Sequence, residues 1–157
     1  MKPKFKKWLK CVAVPLVVGA VAGFLSSGGM KDFAALNQPP LSPPGWLFPV
    51  VWTILYILMG TSYCLVLSAD PAPQEKQKAT SIYFYQLIAN FLWPVFFFNF
   101  QWYLFSFFWL LLLEALIIIM ILRFYPISRL ASWLCIPYAL WVAFAGYLNL
   151  GIWLLNR

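Results

Sequence analysis

Four stretches of this chain carry no charged side chain at all: 20 residues from Cys11 to Met30, 37 from Phe33 to Ala69, 35 from Ala79 to Leu113 and 27 from Leu130 to Asn156. Each clears the roughly 20 apolar residues that an α-helix, rising about 1.5 Å per residue, needs to cross a ~30 Å hydrocarbon layer. Water is a poor solvent for such a chain. A soluble domain devotes roughly a quarter of its residues to charge, whereas here charged residues make up 10% and apolar residues 64%. The expectation is an all-α membrane protein.

The uncharged runs do not map one to one onto spans. Asn37-Gln38-Pro39-Pro40-Leu41-Ser42-Pro43-Pro44-Gly45-Trp46 holds four prolines and a glycine, so it cannot be a helix and reads as a stiff polyproline-like loop. The third run continues past Glu114 to Leu122, giving 44 residues, about right for two spans joined at Asn99-Phe100-Gln101-Trp102, a polar and aromatic break of the kind found at a bilayer interface. The chain therefore predicts a single five-helix bundle over residues 1–157, with helices at about 8–27, 47–68, 81–98, 103–123 and 130–155 and a Pro-rich loop over 28–46.

An odd number of spans puts the termini on opposite sides. The side of the N-terminus carries nine basic residues (Lys2, Lys4, Lys6, Lys7, Lys10, Lys76, Lys78, Arg123 and Arg129), against Lys31 and Arg157 on the other. The positive-inside tendency then makes the N-terminus cytoplasmic and places the Pro-rich loop and the C-terminus outside, in an inner or plasma membrane of a bacterial cell. Ser26-Ser27-Gly28 is a weak cleavage site and the first apolar stretch is long enough to span, so a retained helix is expected instead of a signal peptide. The net charge of +7 is concentrated at one membrane edge, where anionic lipid headgroups explain it and no nucleic-acid partner is called for.

The chain has no histidine, which removes His-based triads, zincins, histidine-ligated haem and any metal site built on imidazole. No metal site and no required cofactor is expected. Cys11, Cys64 and Cys135 fall near the cytoplasmic ends of their spans, read as small apolar residues in packed helices, and make no disulfide framework.

Helix association in lipid lacks a hydrophobic driving force, so polar and small residues mark faces that meet protein or a cavity. Three such faces can be read. Gln86, Asn90, Trp93 and Phe97 share one stripe of the third helix, Trp52, Tyr56, Met59 and Tyr63 one of the second, and Trp141, Ala145, Leu148 and Ile152 one of the fifth, with Gly146 and Asn149 beside them. Pro94 deprives the Asn90 carbonyl of its helical donor and predicts a kink. Each stripe alone is explained by bundle packing. Together, an interior of indoles, phenols and carboxamides suits a large flat hydrophobic ligand carrying a few acceptors. Gly19 and Gly23 form a GxxxG pair that permits close helix packing. Glu114, the one acid deep in a span, is either a proton relay or a neutral structural acid, hydrogen-bonded or directed to a headgroup. Leu122, Tyr125 and Arg129 fit the loose cholesterol-contact pattern, which matches by chance in many membrane proteins.

Three segments resemble one family. Pro39 to Gly60, reading PPLSPPGWLFPVVWTILYILMG, is similar to the signature of the first loop and second helix of the TspO/MBR family, the tryptophan-rich sensory or translocator proteins. Asn90-Phe91-Leu92-Trp93-Pro94-Val95-Phe96-Phe97-Phe98 resembles its third helix, and Pro137 to Asn149, PYALWVAFAGYLN, its fifth. The resemblance implies a five-helix bundle, usually a homodimer, with a pocket beneath the first loop that takes porphyrins such as protoporphyrin IX and, in many members, cholesterol or benzodiazepine-type and isoquinoline carboxamide drugs. Position by position, that pocket would include Gly23, Trp52, Asn90, Trp93, Trp141, Ala145 and Leu148. It also implies an alternative activity: some bacterial members break down protoporphyrin in light, and the tryptophans concerned match Trp52 and Trp141.

Two departures stand out. The family's usual Trp-Tyr before the proline loop is here Asp32-Phe33, so no phenol can reach a ligand from that place. The tyrosine expected after Leu148-Asn149 is Leu150, which weakens the case for sterol binding through the C-terminal motif. Two functions follow, a tetrapyrrole-binding protein for sensing or transport and a light- and oxygen-dependent porphyrin-degrading enzyme. The first is favoured because no general acid–base pair or activated nucleophile is visible. A scaffold whose pocket is vestigial is a third.

Overall fold

A computed structural model describes residues 3–157; Lys2, counted above with the basic N-terminal cluster, lies outside the described residues. The helices are α1 (Phe5–Ala34), α2 (Leu47–Ser68), α3 (Pro73–Pro94) with a π-helical turn at Val95–Asn99, α4 (Tyr103–Phe124), α5 (Arg129–Leu134) and α6 (Ile136–Asn156). Five segments are long and apolar enough to cross a membrane: Phe5–Ala34, Leu47–Ser68, Pro73–Asn99, Tyr103–Phe124 and Arg129–Asn156. The surface they present is itself apolar, with Phe24 79% and Leu140 67% exposed. The protein is an integral membrane five-helix bundle.

Three boundaries differ from the sequence expectation. The first helix runs seven residues beyond Ser27 to Ala34, so the Pro-rich loop begins at Ala35 and not at residue 28. Packing carries it through Gly28-Gly29: a Cβ on Gly29 would collide with the Phe98 carbonyl, the Leu25 carbonyl accepts from Asn99 Nδ2 at 3.0 Å, and the Phe33 ring lies 5.5 Å from that of Phe98. The third helix begins at Pro73, eight residues before 81. Proline in a first turn has no amide to leave unpaired, and Glu75 there faces the positive end of the helix dipole, so the charged segment with its Glu75–Lys78 pair (3.7 Å) is helical too. The last span, expected as one helix over 130–155, breaks at Cys135 between α5 and α6, with Pro137 in the first turn of α6.

The kink expected at Pro94 is realised as the π-helical turn, closed by Phe100 N–H donating to the Val95 carbonyl at 3.1 Å. The chain then reverses through Gln101 at φ 56° and enters α4, as the polar break foretold.

Packing is strongest between α1 and α2, α4 and α6, and α3 and α4. The backbones of α1 and α2 approach closely at Gly60, where a Cβ would lie 2.7 Å from both the Cys11 carbonyl oxygen and Val12 Cα. Polar side chains tie the helices to one another. Ser62 Oγ donates to the Ala131 carbonyl (2.6 Å), Ser132 Oγ to that of Ile121 (2.9 Å) and Trp109 Nε1 to that of Ala89 (2.8 Å). The proline loop is strapped across one end of α6: Asn37 and Asn156 exchange two hydrogen bonds (3.0 and 2.9 Å), Tyr147 Oη donates to the Pro40 carbonyl (2.6 Å), and buried Pro39 sits against Gly151. By contrast α2 and α6 touch only slightly.

Candidate functional site

The stripes read from the sequence converge on a chain of buried hydrogen bonds. Tyr56 Oη donates to Asn90 Oδ1 at 2.8 Å, Asn90 Nδ2 donates to Tyr138 Oη at 2.7 Å, and Tyr138 Oη donates to Gln86 Oε1 at 2.7 Å. Gln86 Nε2 ends the chain on Met59 Sδ at 3.4 Å. All five residues are buried. Their helical spacing turns them inward, and in an apolar interior each polar group needs a partner from a neighbouring helix. This network locks α2, α3 and α6 together.

Tyr138 was not among the candidate residues. Its signal was present, since it lies three residues before Trp141 and extends the stripe Trp141, Ala145, Leu148 by one turn.

A second knot lies nearer the proline loop. Trp93 Nε1 donates to Asn149 Oδ1 at 3.0 Å, and Asn149 Nδ2 donates to the Tyr103 carbonyl at 2.6 Å. The Trp93 ring stacks on Phe97, whose ring packs on Phe33 and Tyr103. The ring that stands where the family has a phenol is thus absorbed in an aromatic cluster.

Between α2 and α6, where the two helices part, lies an open groove of about 400 Å³ lined by Val51, Ile54, Leu55 and Leu58 on one side and Pro137, Leu140, Trp141 and Phe144 on the other. Both sets follow i, i+3, i+4, i+7, so the groove is two facing helical stripes held apart. Its volume falls in the range of roughly 300–1,000 Å³ common for small-molecule sites. The lining is apolar apart from one indole. Trp141 Nε1 is buried and has no hydrogen-bond partner among the described residues, while its ring meets Phe48 edge-on (5.9 Å) and Phe144 (5.6 Å). Buried indole N–H groups are ordinarily paired; this one has no acceptor among the described residues.

The seven candidate residues are distributed over these features. Trp141 lines the groove. Half-buried Trp52 is not among the residues that line the groove; it packs on Tyr56 (5.6 Å) and edge-on against Tyr138 (6.3 Å), against the network. Asn90 has both ends of its amide engaged in the network, and Trp93 is bonded to Asn149. Ala145 and Leu148 are buried in the bundle. Gly23 faces open space, since a Cβ there would meet nothing within 4 Å, whereas its GxxxG partner Gly19 lies hard against the Tyr56 ring. Close packing is thus Gly19's role and not Gly23's.

The TspO/MBR family model matches residues 11–154. The chain is 37% identical over 147 residues to the tryptophan-rich protein TspO of Chlorobaculum tepidum, covering 93% of each chain. It is 33% identical to the tryptophan-rich protein TspO of Archaeoglobus fulgidus (96% of this chain, 97% of that one) and 32% identical to the translocator protein of Sus scrofa (96% and 92%).

Proposed function

This chain belongs to the TspO/MBR family, and from that premise we propose that a membrane protein of sensory or translocator type here binds a porphyrin, protoporphyrin IX or a related haem precursor, in the groove between α2 and α6. The observation that carries the reading is the Trp141 indole, which lines an apolar groove with its N–H buried and unpartnered. A porphyrin offers a broad flat face to Trp141, Phe144 and the branched side chains of α2, and its carboxylate or carbonyl oxygens supply the missing acceptor. The slight contact between α2 and α6 gives a ligand dissolved in lipid a lateral way in. Tyr56, Asn90, Tyr138 and Gln86 form the rigid wall behind. No group of the chain needs to ligate a metal for this mode of binding, which rests on shape, stacking and one hydrogen bond.

The excess of Lys and Arg on the side of the N-terminus supports an orientation with that terminus cytoplasmic and the proline loop on the opposite face, in the inner or plasma membrane of a bacterial cell as the reading from the sequence has it. Sterol and benzodiazepine-type ligands are further occupants for the same groove, though Leu150 removes the tyrosine through which the family's C-terminal sterol motif works.

The test is titration of purified protein with protoporphyrin IX while tryptophan fluorescence is followed. Saturable quenching that weakens in Trp141→Phe supports the reading; its absence, or quenching unchanged from wild type in both Trp52→Phe and Trp141→Phe, rejects it.

A second reading, photo-oxidative breakdown of the bound porphyrin with oxygen as oxidant, is favoured by one feature: Trp52 touches both Tyr56 and Tyr138, a set of redox-active rings in contact within the bundle. It requires porphyrin loss only under light and oxygen, and loss that falls when Trp52 and Trp141 are both replaced.

A further inference from the structure

Arg123 and Arg129 flank the turn that joins α4 to α5, each at the end of a membrane span and so at headgroup depth, on the side of the N-terminus. Both are exposed and neither is ion-paired; Glu75–Lys78 is the one ion pair among the described residues. The acids on that side, Asp70 and Glu75, lie elsewhere, between the end of α2 and the first turn of α3. The Arg129 guanidinium rests over the Tyr125 ring, 5.5 Å from its centroid, which holds its fork of donors at one place on the surface. The lysines of α1 are different. Lys7 Nζ donates to Ser68 Oγ at 3.2 Å, while Lys4, Lys6 and Lys10 are exposed on long flexible stems.

From this corner an apolar strip runs into the membrane. Leu130 and Trp133 on α5, and Pro137 and Leu140 on α6, are exposed pairs one turn apart. Cys135, at φ −89° and ψ −10°, keeps the break between the two helices close to helical, so the four residues follow one another at i, i+3, i+7 and i+10 on one face. Ten residues of helix rise about 15 Å, the depth of one leaflet of a ~30 Å hydrocarbon layer. Positive forks at headgroup level above an apolar strip one leaflet long match a phospholipid, with phosphate at the arginines and an acyl chain along the strip. An acidic protein would answer the charge but not the strip, which lies at acyl depth.

We propose that the α4–α5 corner binds an anionic phospholipid, its phosphate held by Arg123 and Arg129 and one acyl chain laid along Leu130, Trp133, Pro137 and Leu140. Tyr125 then serves as the platform that positions Arg129, a headgroup role in place of the sterol contact that its spacing from Leu122 and Arg129 suggests. The proposal is independent of the porphyrin reading.

Full-length protein in micelles of a neutral detergent, with about 0.15 M salt to screen the long-range field, is titrated with phosphatidylglycerol or with phosphatidylcholine of the same acyl chains, and the rise in melting temperature is followed. Phosphatidylglycerol is expected to act saturably and with about tenfold or more higher apparent affinity than phosphatidylcholine. The double variant Arg123→Gln/Arg129→Gln is expected to melt like wild type without lipid and to lose that preference. Lys6→Gln/Lys10→Gln removes the same charge from α1 and is expected to keep it. Trp133→Glu sets a carboxylate one turn from Arg129, at i, i+4, and is expected to weaken phosphatidylglycerol binding with both arginines in place. An equal response to the two lipids, or a preference retained in the arginine variant or in Trp133→Glu, overturns the site. An equal loss in the lysine variant also overturns it, since a diffuse field would then account for the binding. Wild type stabilised by soluble polyglutamate and not by phosphatidylglycerol would assign the corner to an acidic protein and overturn the lipid. None of these results bears on porphyrin binding.

Discussion

Asn90 Nδ2 donates to Tyr138 Oη at 2.7 Å, and the same hydroxyl donates in turn to Gln86 Oε1 at 2.7 Å. One phenol thus satisfies two buried carboxamides on α3. Removing the hydroxyl in Tyr138→Phe leaves an amide N–H and a carbonyl unpaired in the buried interior. Loss of about 1–2 kcal/mol of stability is expected, read as a lower melting temperature in detergent. Porphyrin affinity should change little, because the hydroxyl lies behind the groove and not in its lining.

Trp93 and Trp141 should part company when each is changed to Phe. Trp93→Phe deletes the 3.0 Å bond to Asn149 and leaves a buried carbonyl oxygen short of a donor, so a loss of about 1 kcal/mol or more in stability is expected. The Trp141 N–H has no partner to strand. Trp141→Phe should therefore melt close to wild type yet bind protoporphyrin roughly fivefold to tenfold more weakly, the equivalent of one lost hydrogen bond of about 1 kcal/mol. A melting shift in Trp141→Phe as large as in Trp93→Phe would contradict this division.

Two glycines make a complementary pair. A Cβ on Gly60 would sit 2.7 Å from backbone atoms of α1 that cannot swing aside, so Gly60→Ala must push α1 and α2 apart at a cost of about 1–3 kcal/mol. Gly23→Ala enters open space and gains helix propensity, up to about 1 kcal/mol in favour of the folded bundle. Opposite shifts in melting temperature are the expected outcome. Unchanged porphyrin quenching in Gly23→Ala would in addition show that α1 does not line the occupied site.

How far these features were legible depends on the range of the interaction that fixes them. The five spans follow from runs of uncharged residues because each helix crosses lipid by its own composition. Their ends follow less well: α1 passes Ser27 because Gly29 and Phe33 find partners on the π-helical turn, and α3 starts at Pro73 because a helix need not stop where the membrane does. The stripe Gln86–Asn90 announced that two amides face inward, yet helical period says nothing about which neighbour answers them. Tyr138 answers both, and only the packed bundle reveals it. The groove is less legible still. It exists because α2 and α6 diverge, a property of the gap between two helices that neither sequence carries alone.

That gap gives the most direct experiment on where the ligand sits. Leu140 of α6 and Ile54 of α2 both line the groove and are 67% and 53% exposed, so neither supports the core. Replacing Leu140 with Trp places a large ring across a space of about 400 Å³ without breaking a hydrogen bond or filling a buried position. The expected result is a melting temperature near wild type together with at least a tenfold loss of protoporphyrin affinity, and Ile54→Trp should act the same way from the opposite wall. A small change such as Leu140→Ile, which keeps the volume, should leave binding intact. If both tryptophan variants still quench and saturate like wild type, the porphyrin does not enter between α2 and α6, and the unpartnered Trp141 N–H has another role.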